Sequence, residues 1–77
     1  MTHELKIDPK YFELVQDGIK NWEIRKNDRK FKVGDIVRLK EYENDTFTNR
    51  ELIRRIIGIF NEFGLEKGYV VLTLKNL

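Results

Sequence analysis

Apolar positions along the chain change their spacing several times, and each change marks an element. Leu5 and Ile7 alternate with polar neighbours within His3–Ile7, which predicts a short first strand. Asp8-Pro9 then reads as a helix start, with Asp at the N-cap and Pro at the first helical position. Phe12, Val15 and Ile19 recur at helical spacing, and Gly18 supplies the positive φ that ends a helix, so the helix is expected over residues 9–17. Asn21–Lys26 alternates Trp22 and Ile24 with Asn21, Glu23 and Arg25, a strand with one apolar and one charged face. Ile36–Glu43 is a second such strand, with Val37 and Leu39 on one face and Arg38, Lys40 and Tyr42 on the other. Asn44–Asn49 reads as a hairpin loop, and Tyr69–Leu74 as a last strand.

Residues 48–60 fit two periods. Thr48-Asn49-Arg50-Glu51 matches a capping box, and Leu52, Ile53, Ile56, Ile57 and Phe60 form a helical face. Four isoleucines and the interior Gly58 favour a strand with a bulge or bend. The pattern alone leans slightly towards helix and leaves the strand reading open.

With 77 residues the chain has room for one domain, residues 1–77. It contains no cysteine and one histidine, which excludes disulfides and a Cys/His zinc site, and no metal or cofactor is expected. The core must come from the apolar 40% of the chain, with Phe12, Trp22, Phe31, Phe60, Phe63 and Tyr69 as the large contributors. No apolar run is long enough for a membrane span and no signal-peptide pattern is present, so a cytoplasmic, monomeric protein is expected.

The net charge of +2 conceals an asymmetry. Residues 20–40 hold eight basic side chains against three acidic ones, a net +5 that leaves −3 for the remainder. Such a segment attracts anions, and Arg29, Lys30 and Lys32 read as rim charges. Enzyme motifs are missing: no phosphate-binding glycine loop, no HExxH, and no serine for a Ser-His-Asp triad. His3 reads as a partner in a structural hydrogen bond, and Asp35, after Gly34, as a turn-stabilising side chain. The richest stretch runs from Gly18 to Arg25. Lys20 follows the helix end, and Asn21, Glu23 and Arg25 share a strand face, so a cation, a carboxylate and a guanidinium come within reach of one ligand. Arg25 suits a phosphate, and Glu23 suits either a base amino group or the orientation of Arg25.

Gly18-x-Lys20-x-x-Glu23-x-Arg25 resembles the GxKxxExR signature of the ASCH domain, a branch of the PUA-like β-barrels. His3–Ile7, Tyr11-Phe12, Glu23–Arg29, Val33-Gly34-Asp35 and Gly68–Leu72 extend the resemblance over nearly the whole chain, towards a small bacterial and phage ASCH-like family of unknown function. Where that family tends to read Tyr-Thr-Gly-Arg, this chain has Phe47-Thr48-Asn49-Arg50; Asn tolerates positive φ, so the turn is expected to survive. The resemblance implies an α+β fold: a small, closed or nearly closed β-barrel of about five or six strands, with one main helix across an opening. It decides Glu51–Phe60 for strand. It also implies RNA or nucleotide-ligand binding in a basic cleft, for which the candidate residues are Lys20, Glu23, Arg25, Lys26, Arg38, Lys40 and Tyr42. Similar small domains act as amidohydrolases on acylated cytidine, using a Lys, a Thr and a distant Glu. Here the Lys position matches Lys20, but the Thr position falls on Glu23. An enzyme acting on a nucleoside or nucleotide, with Lys20 and Glu23 as acid–base pair, is the alternative. Tyr42 is the better candidate for stacking on a base; Trp22, opposite the charged face, is expected to enter the core, with a base-stacking platform as its alternative role.

Overall fold

The computed structural model describes all residues, Met1–Leu77. Its elements run β1 (Thr2–Ile7), α1 (Pro9–Gln16), β2 (Trp22–Lys26), β3 (Ile36–Glu43), β4 (Thr46–Phe60) and β5 (Tyr69–Asn76). The five strands form one sheet in the order β1-β3-β4-β5-β2, curled into a half-barrel. β1 pairs in parallel with β3, and every other pairing is antiparallel. The fold is therefore more β than the expected α+β, since a single eight-residue helix stands against five strands. Nor is the barrel closed: β1 and β2 are the two ends of the sheet order and share no ladder.

Helix α1 forms where expected, one residue shorter. The Asp8 side chain accepts a hydrogen bond from the Lys10 amide at 2.9 Å, and Pro9 occupies the first turn. Gly18, at φ +75°, reverses the chain, and the amides of Ile19 and Lys20 both close back on the Leu14 carbonyl. This tight exit brings the chain directly into β2. Phe12 and Val15, three residues apart, point from α1 into the core. There they meet Leu5 and Ile7 of β1, Phe31 of the β2–β3 connection, Val37 and Leu39 of β3, Ile56 of β4, and Val70, Leu72 and Leu74 of β5. Each such burial contributes about 1.5–3 kcal/mol.

The ambiguous segment is a strand, and it is longer than expected. β3 and β4 are joined by a two-residue turn, Asn44-Asp45, with both residues at positive φ (53° and 62°), as a type I′ turn requires. The expected loop over Asn44–Asn49 thus contracts to its first two residues, and Thr46–Asn49 join β4. β4 pairs first with β3 and then, from Arg54 on, with β5. The two ladders overlap at Arg54 and Arg55, and a bulge follows: Ile56 faces Leu74 while Gly58 faces Thr73, leaving Ile57 as the extra residue. Glycine is required there, because a Cβ would lie 2.6 Å from the Thr73 hydroxyl and 2.8 Å from the Phe60 ring. A second irregularity lies between Lys40 and Tyr42, where Asn49 takes φ +74°. The turn expected from Asn in place of Gly is thus present.

Three aromatic residues expected in the core lie outside it. Trp22 is 43% exposed, Phe60 39% and Phe63 77%. For Trp22 the alternation was read correctly but its polarity was inverted: the charged face of β2 turns inward at the mouth of the half-barrel, and the apolar face turns out.

Candidate functional site

The first turn of α1 with its cap Asp8, the exit from the helix at Lys20, the strand β2 and the edge of β1 enclose a cleft of about 370 Å³. At its centre is Glu23, only 5% exposed. A lone buried carboxylate would be costly, and this one is compensated on both oxygens. Lys20 Nζ donates to Oε1 at 2.5 Å, and Arg25 donates to Oε2 through Nε at 3.0 Å and Nη2 at 2.8 Å. Each cation is tied to backbone as well: Lys20 to the Trp22 carbonyl at 2.7 Å, Arg25 to the Lys6 carbonyl at 2.7 Å. The period-two spacing puts Glu23 and Arg25 on one face, and the helix exit delivers Lys20 to the same point. Two cations on one carboxylate leave the trio with a net positive charge.

Two aromatic rings wall this cleft, Tyr11 from α1 and Trp22 from β2. Lys20 Nζ lies 4.5 Å from the Trp22 ring centroid and 5.4 Å from that of Tyr11. Sequence reasoning missed Tyr11 and placed Trp22 in the core, with stacking only as the alternative. The signal for Tyr11 was present, because it stands off the Phe12/Val15 core face of the helix.

The other candidates scatter. Lys26 borders a small adjoining hollow with Asp28 and Arg29. Arg38, Lys40 and Tyr42 lie on the outer face of β3. Arg38 is engaged by Glu51 through two hydrogen bonds of 2.8 and 2.9 Å and by Glu4 through a third of 2.8 Å. The Glu51 contacts raise the Arg38 pKa, and those from Arg38 lower that of Glu51. Tyr42 meets Phe47 edge-on at 5.0 Å and carries Lys6 Nζ 4.3 Å from its centroid. Lys40 lines a trench of about 400 Å³ that also borders Arg25. The structure thus brings together Lys20, Glu23 and Arg25, connects Lys40 to them through the trench, and separates Arg38 and Tyr42 from the cleft.

Two other buried acid clusters are structural. His3 Nε2 and Asp35 Oδ2 lie 2.8 Å apart, and Asp35 also accepts from the Lys32 amide at 3.1 Å. The His3 hydrogen bond is the largest cause holding the Asp35 carboxyl at about 2. Glu41 accepts from Arg50 at 2.9 and 2.7 Å and from the Thr48 hydroxyl at 2.6 Å. Arg50 first, then Thr48, hold the Glu41 carboxyl at about 2. Arg50 continues to Glu13 of α1 at 2.7 Å and lies 4.3 Å over the Phe12 ring, which fastens the helix to the sheet.

Residues 2–74 match the family described as a domain of unknown function, DUF3850. The chain belongs to that family. It is also similar to a protein of Escherichia phage P2 described as an uncharacterized 12.9 kDa protein in the GpA 3′ region, with 39% identity over 70 residues. The match covers 91% of this chain and 64% of the relative, so the chain spans just under two thirds of that relative's length. A family of unknown function with a phage relative agrees with the coarser part of the resemblance read from the sequence. No helix is long and apolar enough to cross a membrane.

Proposed function

We propose that this chain is an ASCH-type, PUA-like domain that binds RNA, one nucleotide of which enters the cleft between α1 and β2. The observation that carries this reading is the buried Glu23, held between Lys20 and Arg25 beneath two exposed aromatic rings. The cleft falls in the lower part of the ~300–1,000 Å³ range of small-ligand sites. Trp22 and Tyr11 offer surfaces for base stacking, which is tolerant of base identity. Arg25 uses Nε and Nη2 within the protein, which leaves Nη1 for a phosphate oxygen. Glu23 acts as the positioning group: it fixes the two cations at a set separation, so their ordering is complete before a ligand arrives.

The same geometry disfavours the enzyme alternative. Both oxygens of Glu23 are engaged by cations and two of the three Lys20 donors are taken within the protein, an arrangement that suits fixing the cations in place. The expected outcome with acylated cytidine is no turnover above the uncatalysed rate. Turnover abolished by Lys20→Ala would instead make the protein an enzyme.

Trp22 is the sole tryptophan, so its fluorescence reports occupancy of the cleft directly. Titration with oligouridylate at low salt is expected to change its emission with a Kd on the order of micromolar, weaker than specific nucleic-acid complexes because few base contacts fit. Arg25→Ala and Lys20→Ala are expected to weaken binding about tenfold or more, the loss of one charge-assisted contact. An emission that does not respond to any polynucleotide, with the fold intact, would remove the proposal.

A further inference from the structure

We infer that the cleft is one end of a groove along the β1–β2 seam, and that the ligand is a short single strand of RNA and not a free mononucleotide. This rests on the reading of the cleft as a nucleotide site.

The seam is where the half-barrel fails to close. Its β1 side presents the carbonyls of Glu4 and Lys6, which no neighbouring strand takes up. Arginine side chains cap them instead: Arg25 donates to the Lys6 carbonyl, and Arg29 to that of Glu4 at 2.5 Å. Two guanidiniums therefore lie along the open edge, bridging the strands where a ladder would have been. Each keeps donors that the protein does not use. Arg25 Nη1 and Arg29 Nη2 make no protein hydrogen bond.

Arg25 also joins the cavities. It lines the aromatic cleft, the small hollow beside Lys26 and the 400 Å³ trench. The trench carries Lys6, Arg25, Arg29 and Lys40 against the single carboxylate of Glu4. Phe47, 42% exposed, stands at its border, and Lys40 Nζ lies 4.7 Å from its ring centroid. Along one path the surface thus offers a base site at Trp22 and Tyr11, then a row of cations, then a third aromatic ring, Phe47. That sequence of features matches a polyanion whose bases stack and whose phosphates repeat. A mononucleotide would use only the first part. The molecule measures 32 × 25 × 24 Å, so a strand along this path is short, near the low end of the roughly 4–16 nucleotides that single-strand-binding sheets cover.

The test is a length series read by Trp22 fluorescence: mono-, di-, tri- and hexauridylate on the full chain. Affinity is expected to rise by about tenfold or more from monomer to trimer and then to level off. With about three phosphate contacts, trimer binding should weaken about twentyfold between roughly 50 and 200 mM salt, and monomer binding far less. Lys40→Ala and Arg29→Ala should abolish most of the gain with length, lowering trimer affinity several-fold more than monomer affinity, and melting curves verify that both fold. Equal affinity for monomer and trimer, untouched by either variant, would overturn the groove and leave a mononucleotide site. Failure of every member of the series to bind would overturn the cleft reading and the groove with it.

Discussion

The half-barrel contains two buried glutamates, each gripped by an arginine, and they serve opposite ends. Glu41 is held by Arg50 and Thr48, and Arg50 is shared with Glu13, so one cation lies between two carboxylates. Glu23 is held by Lys20 and Arg25, so one carboxylate lies between two cations. The first cluster is net negative and bridges α1 to the sheet. The second is net positive, opens on a cleft and is walled by exposed rings. The pairing chemistry is the same; the sign of the surplus charge and the aromatic walls separate a brace from a receptor. A buried ion pair is by itself weak grounds for assigning a role, and these two show why its neighbours must be counted.

The sharpest way to break the comparison is to remove each arginine in turn. Arg50→Ala leaves Glu41 buried beside Thr48 alone and uncovers Phe12. The midpoint of thermal unfolding should fall by on the order of 10 °C, as for the loss of one partner of a buried pair in a small domain. Arg25→Ala leaves Glu23 with Lys20, so its midpoint should fall by less than half as much while RNA binding is lost. Thermal melts and Trp22 titrations on both variants decide the matter. Equal destabilisation by the two would make Glu23 a second brace.

Acid should distinguish the braces in a second way. Glu41 and Asp35 titrate at about 2 in the folded chain, below their ordinary values of 4.5 and 3.8. A carboxyl lowered by folding stabilises the native state fully above its unfolded value, and that stability drains as the pH falls towards the folded one. Unfolding midpoints should therefore hold above about pH 4.5 and decline between there and about pH 2. Glu41→Gln should start from a lower midpoint at neutral pH and show a flatter decline. An unchanged slope in that variant would mean that Glu41 is not the group acid acts upon.

How much of this was legible beforehand depended on whether one residue's neighbours in sequence were also its neighbours in space. The helix was readable because Asp8, Pro9 and Gly18 act within a few residues of themselves. The strand Ile36–Glu43 was read to its exact ends because alternation is a local property. The Lys20/Glu23/Arg25 trio was readable for the same reason. What escaped notice depended on distant partners. The sequence cannot tell which face of β2 turns inward, because that follows from the open seam with β1; so Trp22 was assigned to the core. Arg50 looked like part of a capping box, since Glu41 and Glu13, which fix its role, lie 9 and 37 residues away. Arg38 looked like a ligand group until Glu51 and Glu4 were seen to engage it.

Asn49 tests the brace more gently. Its φ of +74° bends β4 so that Thr48 and Arg50 both reach Glu41. Asn49→Ala should cost about 1 kcal/mol, the penalty of a β-carbon in left-handed backbone, and Asn49→Gly should cost nothing or stabilise slightly. Denaturant unfolding measures both. RNA affinity should be the same in each, since the irregularity serves the Glu41 side; a change in affinity would mean that the two clusters are coupled through β4.

The smallest expected effect concerns Lys30, a basic residue of the same +5 segment that lines neither the cleft nor the trench. If the receptor were merely a positive surface, reversing any of these charges would weaken binding equally. In the geometry proposed, Arg25 meets a phosphate directly, whereas Lys30 acts only through the field, which salt screens within about 8 Å under physiological conditions. Lys30→Glu should therefore weaken binding by less than about threefold at that salt and approach a larger effect only as salt is lowered, while Arg25→Glu should weaken it by more than about tenfold throughout. Lys30 is exposed, so its variant should melt with the parent; Arg25→Glu sets a second carboxylate beside Glu23 and requires the melting control. Equal losses from the two reversals at every salt concentration would reduce the cleft to one part of an unspecific basic face, and the contrast between brace and receptor would then rest on charge alone.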